Sequence, residues 1–203
     1  MAEGGVAHQK RNLPLLATRE ICAGKTYIVT GANVGLGFEA AKHLASLGAG
    51  RVILGVRTVA KGEAAKTAID AAAGTTGSGV VNVWHLDLES YESVRAFVRR
   101  AAEELERIDA VVENAGVALA TRELAEGHAK PVTVNVLSTL LMAVLLVPVM
   151  RAKAEKVGDG VPPRITILTS RAGFDETVRV DWEGVKENPI KGMDAEDMVP
   201  VKT

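Results

Sequence analysis

The residues of this chain best suited to chemistry lie in one short stretch, residues 29–40, VTGANVGLGFEA. Gly31, Gly35 and Gly37 stand where a β-branched run gives way to Ala, Leu and Glu. Glycine has no Cβ, so another group can lie directly against its backbone. A helix that begins here offers unpaired N–H groups and the positive end of its dipole, and both attract anions. Placed between the first strand and first helix of a βαβ unit, such a turn accepts the diphosphate of a dinucleotide. The same glycines would also serve a tight turn with close helix packing. The spacing is Gly-x-x-x-Gly-x-Gly, not the commoner Gly-x-Gly-x-x-Gly.

Such a turn works only if strands and helices hold it in place. TYIVT (26–30) reads as a buried strand, and Leu36, Ala40, Leu44 and Leu47 then recur at helical spacing up to Gly48. RVILGV (51–56) is a second strand. VAKGEAAKTAIDAAA is a helix closed by GTTGSG (74–79), and VVNVWHLDL is a third strand with its exit. SYESVRAFVRRAAEELERI opens on Ser90 as an N-cap and puts Val94, Phe97, Val98 and Leu105 on one face. DAVVENAG is a fourth strand and turn, a long apolar helix follows, and RITILTS is a fifth strand. This alternation predicts an α/β fold with a doubly wound parallel sheet, whose strands are continuous apolar runs because both faces are covered. After Ser170 the pattern stops, so the sheet is expected to be incomplete after the fifth strand. The expected divisions are an N-terminal extension (1–20, its first ten or so residues disordered), a nucleotide-binding domain (21–170) and an irregular C-terminal extension (171–203).

Composition narrows the function. Of 203 residues, 47% are hydrophobic and 24% charged, the balance of a soluble globular protein. The net charge is −1 with Lys and Arg dispersed, so nucleic acid is not an expected partner. A single cysteine, Cys22, makes no internal disulfide, and the first twenty residues carry no long apolar stretch; a cytoplasmic protein is expected. Residues 132–150 are uncharged and meet the lower length of a membrane span. Asn135, Ser138, Thr139 and Pro148 interrupt them, so a buried helix is expected in preference to a span. No Cys/His/Asp cluster has metal-ligand spacing, and none of the histidines is assigned to catalysis.

TGANVGLG resembles the glycine motif of the short-chain dehydrogenase/reductase family. Four further stretches match that family in order: HLDL, ENAG (113–116), VNVLST and ILTS. The resemblance covers about residues 25–170, and ILGVR with GANVGLGFEAAKHLA is most similar to retinol-dehydrogenase-like members and fungal reductases of secondary metabolism. It implies a Rossmann-like fold and an oxidoreductase that interconverts an alcohol and a carbonyl. On that basis Gly31, Gly35, Leu36 and Gly37 cradle the diphosphate, Asp87 bonds the adenine, and Asn114, Ala115 and Gly116 lie on the ribose side. Asn135 and Ser170 are the matching catalytic residues. Asp87 and Asn114 would also suit plain turn residues. Glu113 stands where the family usually has asparagine. NAD-preferring members carry an acid at the end of the second strand. Here Val56 is followed by Arg57, with Lys61 one turn on, which favours NADP(H) through charge-assisted bonds to a 2′-phosphate; solvated surface charges are the alternative.

The family takes its proton from a tyrosine with a lysine four residues on. The two tyrosines here, Tyr27 and Tyr91, have Gly31 and Arg95 in that place, so the Tyr-x-x-x-Lys pair is absent. One reading is that the chain stops before the motif and is impaired alone. The other is a complete chain that works without the tyrosine, either as an enzyme using another acid or as a non-catalytic Rossmann-like protein that binds a nucleotide or completes a partner. The resemblance also implies a homodimer through the long apolar helix.

Overall fold

The computed structural model describes residues 14–119, 121–170, 188–190 and 194. The sequence first meets the fold at a short helix, α1 (Arg19–Cys22), capped by the Thr18 hydroxyl, with Cys22 buried. The division expected after residue 20 therefore falls inside a helix that already contributes to the core. The segment read as disordered (the first ten or so residues) lies outside the described residues, as does the one read as irregular (171–203) apart from 188–190 and 194.

Five strands build one sheet: β1 (Thr26–Thr30), β2 (Arg51–Val56), β3 (Val81–His85), β4 (Ala110–Glu113) and, after the short hairpin described below, β7 (Arg164–Ile167). Their order is β3-β2-β1-β4-β7 and every pairing is parallel. All of β1 is buried, as a central parallel strand must be. The helices α2 (Gly35–Ser46) and α3 (Val59–Ala73) cover one face with α1. On the other lie α4 (Tyr91–Glu104) and a long composite helix. The Ser90 hydroxyl caps α4 by accepting from Ser93 N–H, and Val94, Phe97, Val98 and Leu105 are buried as their spacing predicted.

The spacing misjudged α2. Leu36 is exposed and Leu44 and Leu47 are only partly covered, whereas Gly37, Ala41 and Ala45 are buried. Close approach to β1 selects the face with the smallest side chains, not the most apolar one.

A two-stranded hairpin absent from the sequence reading, β5 (Leu124–Ala125) and β6 (His128–Ala129), precedes the composite helix. That helix runs as α5 (Lys130–Val132), a π-helical segment (Thr133–Ser138) and α6 (Thr139–Val157). Its apolar stretch is long enough to cross a membrane by length and composition. Met142, Leu146 and Met150 are nevertheless buried against α4 and the sheet, while Leu140, Val144 and Val147 are exposed. The helix is thus half covered within this chain, not apolar and buried all round. Pro148 does not end it either. The bond Pro148 cannot make is to the carbonyl of Val144, a residue on the open face, and α6 continues to Val157. Beyond Ser170, Asp194 docks on the hairpin: its carboxylate accepts from Ala129 N–H (2.8 Å) and pairs with His128.

Candidate functional site

In a sheet of this order, successive crossovers leave β1 toward β2 and β4 toward β7, so a crevice opens at the carboxyl ends of β1 and β4. The structure has a crevice of about 120 Å³ there, lined by Gly31, Asn33, Gly55, Arg57, the run Leu86 to Glu89, Ala115, Gly116, Val117 and Val134.

Each of the three glycines has its own physical reason. Gly31 takes φ +65°, and a Cβ on it would stand 3.0 Å from Ala115 Cα. Gly35 takes φ +60° and faces open space. A Cβ on Gly37 would stand 2.5 Å from Asn114 Nδ2 and 2.7 Å from the Gly31 carbonyl oxygen. The N-cap of α2 is Val34, which supplies no side-chain bond, and the first turn holds no acid. The opening N–H groups of α2 thus have no side-chain cap and no acid beside them, whereas in α4 the Ser90 hydroxyl takes up the Ser93 N–H.

Two residues pin this loop from beneath. The Thr30 hydroxyl accepts from the N–H groups of Asn114 and Ala115, both at 3.0 Å, and Asn114 Nδ2 donates to the Thr30 carbonyl at 3.0 Å. Asn114 therefore fastens the end of β4 to the end of β1. Thr30 escaped the sequence reading because only the strand pairing reveals its partners.

The charged rim also differs from expectation. Arg57 reaches the crevice but pairs with the Glu89 carboxylate. Lys61 is exposed on the first turn of α3 and is not in the crevice lining. Asp87 lines the crevice, and its Oδ1 accepts from Glu89 N–H at 2.9 Å, the turn-residue alternative. Gly35, Leu36, Gly37 and Asn114 border the crevice lining without belonging to it, and Glu89 was missed.

Asn135 lies in the π-helical segment and is exposed, not enclosed among apolar neighbours. Its amide bridges Val117 in both directions, accepting from Val117 N–H at 2.8 Å and donating to Val117 O at 2.9 Å, so it shapes the loop beyond Gly116. Ser138, one turn on, is buried and donates to Leu88 O at 2.6 Å. Ser170 is exposed just past β7. Tyr27 is buried in β1, where burial raises its pKa, and Tyr91 begins α4; neither lines the crevice. Glu113 is buried, neither of its carboxylate oxygens has a hydrogen-bond partner among the described residues, and burial pushes its carboxyl up to about 7.

The sequence profile of the family described as short chain dehydrogenase matches residues 25–180. The chain belongs to that family. It is 49% identical over 152 residues to the short chain dehydrogenase sol3 of Alternaria solani, covering 74% of this chain and 51% of that protein. It is 46% identical over 134 residues to the short chain dehydrogenase/reductase dmxR8 of Cryptosporiopsis, covering 65% of this chain and 40% of that one. The chain spans about half the length of the curated relatives it matches. Among solved structures it is similar to a metagenomic short-chain oxidoreductase in complex with NADP (30% identity, TM-score 0.56, covering 64% of this chain and 58% of that one). It is also similar to an L-sorbose reductase of Gluconobacter frateurii complexed with NADPH and L-sorbose (27% identity, TM-score 0.53, covering 66% and 50%).

Proposed function

We propose that this family member is an NADP(H)-dependent oxidoreductase that interconverts an alcohol and a carbonyl in fungal secondary metabolism. The observation that carries the reading is the bare backbone of Gly31 to Gly37, with an uncapped helix start above it and a crevice beside it. That cradle fits a dinucleotide diphosphate through Gly31, Gly35, Leu36 and Gly37. Asp87 would meet the adenine, Ala115 and Gly116 the ribose, and Arg57 and Lys61 the 2′-phosphate. When bound, the nicotinamide supplies or takes the hydride. Ser170 would hold the substrate oxygen by hydrogen bonding, and Asn135 keeps the loop at Val117 in shape. NADP and NADPH in the related crystal structures support the cofactor assignment. A cytoplasmic setting is supported by the single, buried cysteine, and association through α6 by its exposed Leu140, Val144 and Val147.

The weak point of the chemistry is the proton. A positioned acid or base contributes roughly 10² to 10⁴ in rate, and neither tyrosine lines the crevice. This chain is therefore expected to bind NADPH weakly and turn over slowly. The same observation favours a second reading, a nucleotide-binding protein without catalysis. NADPH fluorescence titration followed by single-turnover oxidation with a panel of ketones tests both. Saturable binding with slow turnover supports the first reading, binding with no turnover supports the second, and absence of binding at millimolar NADPH overturns the cofactor assignment.

A further inference from the structure

Arg57 follows β2 and Glu89 follows β3, two strands whose ends pair through Val56 and His85, so both side chains reach the same rim of the crevice. Arg57 Nη1 donates to Glu89 Oε1. The other oxygen, Glu89 Oε2, lies 3.1 Å from Lys130 Nζ, which is also 2.5 Å from Glu123 Oε2. Glu89 is held more firmly than its partner: its side chain is 24% exposed against 62% for Arg57, and its N–H is tied to Asp87. Two cations and two carboxylates balance to zero in this cluster. A phosphate monoester carries nearly two negative charges at neutral pH. Brought to the Arg57 guanidinium, it meets the Glu89 carboxylate already there, and like charges at that separation repel. Relief comes when the more exposed Arg57 swings off Glu89, whose other oxygen keeps Lys130 as its cation.

We propose that Glu89 sets the cofactor preference of this site, competing with the 2′-phosphate for Arg57 and retaining Lys130 when Arg57 turns to the phosphate. The proposal rests on the nucleotide reading above. Glu89 acts on the phosphate through Arg57 and is a positioning residue.

Binding of adenosine 2′,5′-bisphosphate and adenosine 5′-monophosphate, which differ only by the 2′-phosphate, isolates this effect from catalysis. Calorimetry on the full chain should show Glu89→Gln raising the affinity ratio of the bisphosphate over the monophosphate by about 1.5- to 5-fold at low salt, the scale of an exposed ion pair. The gain should shrink at about 0.5 M salt, where screening shortens to a few ångströms. Glu89→Ala, which loses the carboxylate without an amide, should move the ratio the same way. Arg57→Leu should lower it. An unchanged or lowered ratio in both Glu89 variants, with Arg57→Leu still lowering it, overturns the role of Glu89 and leaves the nucleotide site standing. Failure of the unaltered chain and the variants to bind either ligand overturns both.

Discussion

Glu113→Gln removes a buried charge while keeping the shape of the side chain. Glu113 closes β4, is 3% exposed and has no hydrogen-bond partner for either oxygen among the described residues. Burial pushes its carboxyl from the ordinary 4.5 to about 7. As pH rises through about 4.5 the unfolded chain gives up this proton while the folded chain keeps it, until about 7. Stability is whole below the lower value and is lost across the interval. Each pH unit in that window costs about 1.4 kcal/mol, so the full loss is on the order of 3 kcal/mol. Urea unfolding of the wild type and the variant, at several pH values between about 5.5 and 8, reads the effect. The difference in stability should grow by about 2 kcal/mol in favour of the variant as pH rises over that range. The glutamine amide carries its own desolvation cost, but that cost does not change with pH, so the slope is diagnostic. Parallel pH profiles would refute the reasoning: they would mean that Glu113 finds a partner or water and titrates normally.

Two further outcomes follow from the loop and its supports. Gly37→Ala places a methyl carbon 2.5 Å from Asn114 Nδ2 and 2.7 Å from the Gly31 carbonyl, which forces backbone to move; a loss of about 1–3 kcal/mol in thermal unfolding and weaker NADPH binding by fluorescence are expected. Ser138→Ala removes the buried donor to Leu88 O, leaving that carbonyl unpaired; unfolding should report a loss of about 1–3 kcal/mol, together with weaker adenosine 5′-monophosphate binding because Leu88 lines the crevice.

The strands were legible because a parallel sheet covered on both faces demands unbroken apolar runs, and TYIVT and RVILGV are such runs. Helix α3 and the cap of α4 were legible because the signals are local: Gly74 in the left-handed conformation at the end of one, Ser90 at the start of the other. The buried face of α2 was not. Leucine spacing pointed one way, and the space between helix and strand admitted only Gly37, Ala41 and Ala45. Nor did Pro148 reveal whether its missing bond would face solvent or core.

By itself, the sequence determined the glycine turn and the order of elements around it, because backbone conformation and apolar patterning are properties of neighbouring residues. Only the tertiary structure decided what the polar side chains do. Asn114 turns inward to Thr30 across 84 residues of chain, Arg57 meets Glu89 across 32, and Glu113 is sealed away from water. Charge and hydrogen-bond partners are chosen by distance in space, and a linear spacing does not encode that distance until the sheet has set the strand ends side by side.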